Sequence, residues 1–148
     1  MATVRKNKSG FMYNDDYETC NETYVTLRLY SDSLFPQEIT NFLGIEPSET
    51  IEKGIETNIL TNEVINHNAW FLTSENIINS KDSRRHIDYI TDKLLPIREK
   101  LKILASQGTQ IDICCFWFSE NGQGGPTLSP PQLIKLGELG IELWFDIY

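Results

Sequence analysis

The last eight residues, Ile141-Glu142-Leu143-Trp144-Phe145-Asp146-Ile147-Tyr148, alternate without a break between two kinds of side chain. Ile141, Leu143, Phe145 and Ile147 fall on one side of an extended chain; Glu142, Trp144, Asp146 and Tyr148 fall on the other. A strand with one wholly apolar side and one mixed side belongs to a sheet whose two faces have different surroundings. Tyr24–Tyr30 repeats the pattern, with Val25, Leu27 and Leu29 set against Tyr24, Thr26, Arg28 and Tyr30. The expectation is an apolar face packed under helices and an opposite face of aromatics around one arginine, with Arg28 and Asp146 close enough to pair.

Working back from the final strand, Gly140 ends a helix that starts at Ser129-Pro130. Ser129 suits the N-cap, Pro130 the first helical position and Gln132 the far half of a capping box, while Leu128 and Leu133 occupy staple positions. Thr109–Ser119 is the most apolar strand and is expected to be central. Before it, Ile87, Ile90, Leu94, Ile97, Leu101 and Leu104 keep helical spacing over Ser83–Gln107, in phase across Pro96, which predicts one kinked helix ended by Gly108. A strand at His67–Thr73, a hairpin connection at 55–66, a short polar strand within Pro47–Gly54, and a helix from Pro36 stopped by Gly44 complete the order. That order, β-α-β-β-α-β-α-β, gives an α+β domain: a ferredoxin-like split βαβ extended by a C-terminal α-β unit, with a mostly antiparallel sheet and helices on one face. Residues 1–22 read as a polar arm and 23–148 as the single domain.

At 148 residues the chain is long enough to bury a core without disulfides or a structural metal. Its net charge of −8 repels a phosphate backbone and leaves only short basic clusters, so nucleic acid is not an expected partner. Cys20, Cys114 and Cys115 are odd in number, and neighbours in a strand point to opposite faces, so a reducing cytoplasm is expected. The first residues hold no apolar core of a signal peptide, and no run reaches membrane-spanning length.

The opening strand, Pro36–Ile45 with its Leu-Gly-Ile ending, Pro47-Ser48 leading to Lys53-Gly54, Trp70, the long helix, the Gly-rich stretch before Leu128-Ser129-Pro130, and the terminal Asp146-Ile147-Tyr148 together resemble a mainly bacterial family of uncharacterised proteins, domain of unknown function 4279. The resemblance spans 24–148. It carries no catalytic or binding residues. Small acidic proteins of such families sometimes act as immunity proteins that block a toxin.

Two groups of residues are candidate sites. Tyr24, Arg28, Tyr30, Trp144, Asp146 and Tyr148, joined by Asp112, Phe116 and Phe118 where register allows, form an aromatic face suited to gripping a protein partner or a second copy. Gly122, Gly124, Gly125, Thr127 and Ser129 precede a helix N-terminus, where backbone N–H groups can cradle an anion, although no phosphate-loop lysine accompanies them. His67 and His86 have no partners at metal-ligand spacing, so neither a metal nor a cofactor is expected. Asp88 and Asp92 read as an i,i+4 pair on a solvated helix face, and Arg84 and Arg85 as a short basic cluster that a solvated helix face explains. The reading is a protein-binding domain without enzymatic activity, of immunity type in its most specific form. The alternatives are a small-molecule or nucleotide-binding enzyme using loop 120–130, or a structural homo-oligomer.

Overall fold

A computed structural model describes the backbone of residues 4–6 and the whole of 11–54 and 65–148; most of the expected connection at 55–66 lies outside these residues. In chain order the elements are β1 (Val4–Lys6), β2 (Met12–Asn14), β3 (Cys20–Ser31), α1 (Pro36–Leu43), β4 (Glu49–Ile51), β5 (Asn68–Thr73), α2 (Ser83–Leu94), a 3-10 turn (Leu95–Ile97), α3 (Arg98–Ser106), β6 (Gln110–Ser119), α4 (Pro130–Leu139) and β7 (Leu143–Ile147). The result is a mixed α+β fold. Its main sheet runs β4-β5-β3-β6-β7, antiparallel except where β7 lies parallel to β6. β6 is thus an inner strand, while β3 holds the centre expected for β6.

Among the described residues, α1, α2, α3 and α4 all send their apolar stripes to one face of that sheet. Ile39 and Leu43 of α1, Ile87, Ile90 and Leu94 of α2, Leu101 and Leu104 of α3, and Leu136 and Leu139 of α4 share one core with Val25, Leu27, Leu29, Trp70, Leu72, Ile113 and Cys115. Each such large side chain contributes about 1.5–3 kcal/mol by leaving water. Pro96 falls in the 3-10 turn, and the stripe stays in phase across it, so α2 and α3 act as one kinked rod. Gly44 and Gly140 both take the left-handed conformation that stops a helix, at φ +73° and +65°, and Ile45 and Ile141 fold back onto the core after them. Leu128 also packs toward the core, whereas Leu133, its expected staple partner, is exposed. A register shift between Cys20 and Glu22 turns Cys20 inward, although its parity in β3 would send it outward.

The final strand departs from expectation on one point. Leu143 packs against the core, but Phe145 and Ile147 are 40% and 52% exposed instead of buried beneath helices. They lie on the helix side of an outermost strand, and the core cluster ends at Leu143, so the apolar side of β7 extends past its cover.

Candidate functional site

The face opposite the helices is built by the even-numbered residues of β3, β6 and β7 and the odd-numbered residues of β5. Among the described residues no helix covers it. Register decides the contacts. Arg28 and Asp112 are direct Cα partners across β3 and β6, and their side chains meet as a two-point fork, with Nε to Oδ1 and Nη2 to Oδ2 both 2.7 Å. The expected Arg28–Asp146 pair does not form. Asp146 is registered with Phe116 on β6, a full strand farther from Arg28, and Asp112 lies directly opposite instead. Hydrogen bonding to Asp112 pushes the Arg28 pKa further up, so this cation stays charged and occupied.

Aromatic rings surround the pair. The Arg28 guanidinium lies 4.9 Å from the Trp144 ring centre and 5.6 Å from that of Tyr30. Tyr24 stacks on Phe116 at 4.7 Å, and Phe116 meets Tyr148 at 5.6 Å, so one ring from each of β3 and β6 and the residue after β7 form a row across the sheet. Tyr30 packs edge-on against Phe71 of β5. Phe118, Trp144 and Tyr148 remain exposed at 42%, 39% and 65%. Partial burial raises the pKa of Tyr24 and Tyr30, and burial raises the Cys114 thiol to about 11, so none of these groups ionises near neutrality. None of Tyr24, Tyr30 and Cys114 is thus an activated nucleophile at neutral pH. A concavity of about 390 Å³, lined among others by Tyr24, Arg28, Tyr30, Glu49 and Glu75, indents it. Tyr24 and Glu75 also wall a second hollow of about 600 Å³ at the end of the sheet, which Glu22, Asp15 and Asp16 make acidic. All six sheet-face residues expected from the sequence are thus brought together; the alternation in β3 and β7 was sufficient to find them.

The Gly-rich loop is engaged by the N-terminal segment. Gly124 sits at φ +86° directly against the Thr19 side chain. The Tyr17 hydroxyl donates to the Gly125 carbonyl at 2.8 Å and lies 2.8 Å from Thr127 Oγ1. Ser129 is buried: its hydroxyl accepts from Arg84 Nη1 at 2.9 Å, and its N–H donates to Gln132 Oε1 at 2.9 Å. The Thr127 and Ser129 hydroxyls and the Ser129 N–H of this loop are accordingly turned to the protein's own side chains.

The sequence reading missed a polar network between the arm, α2 and α4. Asp88, expected to be solvated, is buried. It accepts from the Tyr13 hydroxyl, from Gln132 Nε2 at 3.1 Å and from Lys135 Nζ at 2.6 Å, and Lys135 also reaches Asp92 at 2.9 Å. Burial alone would lower the Lys135 pKa, but its hydrogen bonds to Asp88 and Asp92 raise it. Arg84, likewise expected in solvent, forks onto the fully buried Asp82, which caps α2 and accepts the Asn14 N–H at 2.7 Å. His86 is buried too: Ser74 accepts from Val25 N–H and so donates to His86 Nδ1, and Nε2–H donates to the Ser80 carbonyl, both at 2.7 Å. Ser80 and His86 also line the acidic hollow, and the bonds of Tyr13 to Asp88 and of Asn14 to Asp82 fasten the arm to the helices. A possible signal was the placement of Asp88 beside Ile87 and Thr91 at the edge of the apolar stripe.

Among the described residues no group of three or more His, Cys, Asp or Glu could hold a metal ion, and no helix is long and apolar enough to cross a membrane. The family described as domain of unknown function (DUF4279) matches residues 21–148. The chain belongs to that family. The match begins inside β3, one residue after Cys20, and takes in the rest of the main sheet together with α1, α2, α3 and α4; the arm that supplies Tyr13, Asn14 and Tyr17 lies outside it. No curated protein and no solved structure matches the chain.

Proposed function

We propose that this DUF4279 protein is a cytoplasmic, non-enzymatic binding domain that takes a basic protein partner on its aromatic sheet face, of immunity type in its most specific form. The observation that carries the reading is the pairing of rings with unbalanced negative charge. Phe118, Trp144 and Tyr148 are exposed on a face whose one cation among the described residues, Arg28, is already matched by Asp112, leaving Asp146, Glu49 and Glu75 around it. Aromatic anchors with an acidic surround suit lysine and arginine side chains, which can lie on rings and pair with carboxylates together. A net charge of −8 steers such a partner during encounter. The engagement of the Gly-rich loop by Tyr17, Thr19 and Arg84 favours this reading over an enzyme built on that loop. The strand order, with β3, β4, β5 and β6 arranged as β4-β5-β3-β6 around two helical crossovers, supports a ferredoxin-like split βαβ as the scaffold, with α4 and β7 added to it.

The test is affinity purification from the native host with wild type and with a Trp144→Ala/Asp146→Lys variant. A basic protein retained by wild type and lost by the variant, with affinity that falls as salt rises, is the expected result. Equal retention by both chains refutes the site.

A further inference from the structure

β7 is one of the two outer strands of the main sheet, and among the described residues nothing pairs with its free side. The opposite outer strand, β4, is three residues long and carries Glu49, with Glu52 and Lys53 just after it, which discourages pairing with another chain. β7 reads Leu-Trp-Phe-Asp-Ile, has a single charge, and leaves apolar side chains exposed on both of its faces. Its bonds to β6 decide which backbone groups are unused. Ile113 N–H donates to the Glu142 carbonyl, Tyr148 N–H donates to the Trp117 carbonyl, and the Tyr148 carbonyl accepts from Ser119 N–H. Residues of one parity bond to one neighbour in a parallel ladder, so Leu143, Phe145 and Ile147 direct their N–H and C=O groups to the free side.

We infer that a second copy of this chain pairs with that edge, antiparallel and with the two-fold axis at Phe145. Phe145 then lies opposite its own copy, and Leu143 opposite Ile147 of the second copy. Each exchanges two backbone hydrogen bonds, and the exposed apolar row left uncovered by the helices is doubled and closed over. Charge selects this register. It sets Asp146 across from Trp144 and Glu142 across from Tyr148, so no carboxylate meets another. Sliding one strand by two residues brings Asp146 against Asp146 in one direction and Glu142 against Asp146 in the other, and like charges directly opposite are destabilising. The aromatic faces of both copies join into one continuous surface, with two Trp144 rings and two Tyr148 rings near its middle. The inference stands on the edge alone and does not depend on what the face binds.

Sedimentation of the full chain over a wide concentration range should show a mass rising toward twice the 17.0 kDa of one chain. Phe145→Lys places two ammonium groups across the axis and should weaken the dimer by about tenfold or more while thermal melting shows the fold retained. Phe145→Cys, in a Cys114→Ser background, should form a disulfide-linked dimer under mild oxidation, because a hydrogen-bonded pair holds its Cα atoms about 5.5 Å apart. Leu143→Cys, facing Ile147, should not. A single-chain mass at every concentration overturns the inference. So does a dimer that survives Phe145→Lys, or one in which Leu143→Cys cross-links as readily as Phe145→Cys.

Discussion

Three glycines in one loop offer a graded test of what the loop is for. Gly125 has no left-handed φ and open space where a Cβ would stand. Gly125→Ala should therefore be neutral or stabilise by about 0.4–1 kcal/mol through the unfolded chain. Gly122 has φ +84° and open space, so its alanine variant should lose only the left-handed term, about 1–2 kcal/mol. Gly124 has φ +86° and, in addition, a Cβ there would lie 2.5 Å from Thr19 Cβ and 2.9 Å from Thr19 Cγ2. Those atoms belong to the turn leading into β3, so relief requires moving the arm, an overpacking cost of about 1–3 kcal/mol beyond the backbone term. Urea unfolding at constant m-value measures all three. Thr19→Gly removes the clashing atoms, and a double-mutant cycle between positions 19 and 124 should return a coupling of about 1–3 kcal/mol. If Gly124→Ala is no worse than Gly122→Ala, or if the two substitutions add independently, Gly124 is not kept to seat the arm. The loop would then have to be glycine-rich for another reason, such as close backbone approach to a ligand.

Asp88→Ala should destabilise by about 2–4 kcal/mol in the same urea assay, because it strands the buried Gln132 amide while Lys135 retains Asp92; a loss below about 0.5 kcal/mol would show the network to be ornamental. Burial lowers the His86 pKa despite the hydrogen bond to the Ser80 carbonyl, so the ring is neutral in the folded state over a range where the unfolded chain takes up a proton. Its contribution to stability is therefore complete above the ordinary histidine pKa of about 6.5 and is lost as pH falls from there toward the depressed folded value; an NMR titration of the His86 ring with a midpoint at or above about 6.5 would contradict this. Burial raises the Cys20 thiol to about 12 and Cys114 to about 11, and raises Cys115 as well, so thiol-reactive dye should label the native protein slowly near neutral pH and rapidly after denaturation. Fast labelling of the native chain would show one of these thiols to be activated.

Local signals carried a good part of this structure. Gly44 and Gly140 stop helices because their missing Cβ permits a left-handed residue, a property that needs no tertiary partner. The heptad-like run through Pro96 and the alternation in β3 and β7 are likewise visible within a few residues, and they were enough to assemble the aromatic face. What stayed illegible depended on partners far away in sequence. Asp88 looks like any acidic residue on a helix flank until Gln132 and Tyr13 arrive from 44 and 75 residues away. Arg28 has two carboxylates to choose from, and only register, set by the whole β3–β6 ladder, places Asp112 rather than Asp146 opposite it. Phe145 and Ile147 show the converse. Their alternation correctly names their side of the sheet, but burial requires a helix above them, and an outer strand lies beyond the last one.

These misses share a direction, and the direction bears on function. Among the described residues, the segments outside the sheet converge on the helix side. The arm is fastened to α2 through Tyr13 and Asn14, the Gly-rich loop is fastened to the arm through Tyr17 and Thr19, and α4 is tied to α2 through Lys135 and Gln132. Buried polar locks of this kind specify one arrangement more than they add stability, because breaking a single partner is costly whereas an apolar replacement for the whole set need not be. A chain that needed only to hide the rings of the other face could have laid the same arm across them with ordinary apolar contacts. Here Tyr13, an aromatic residue suited to that purpose, instead points its hydroxyl at Asp88 and its ring at Arg85, on the side already covered. The exposure of Trp144, Phe118 and Tyr148 is thus maintained by how the described arm is anchored, and an arm cut free by Asp88→Ala with Asp82→Ala should be able to move. If the sheet face is a binding surface, that release should leave partner capture intact or improve it, while loss of capture in the same variant, with Trp144 fluorescence unchanged, would place the partner on the arm instead.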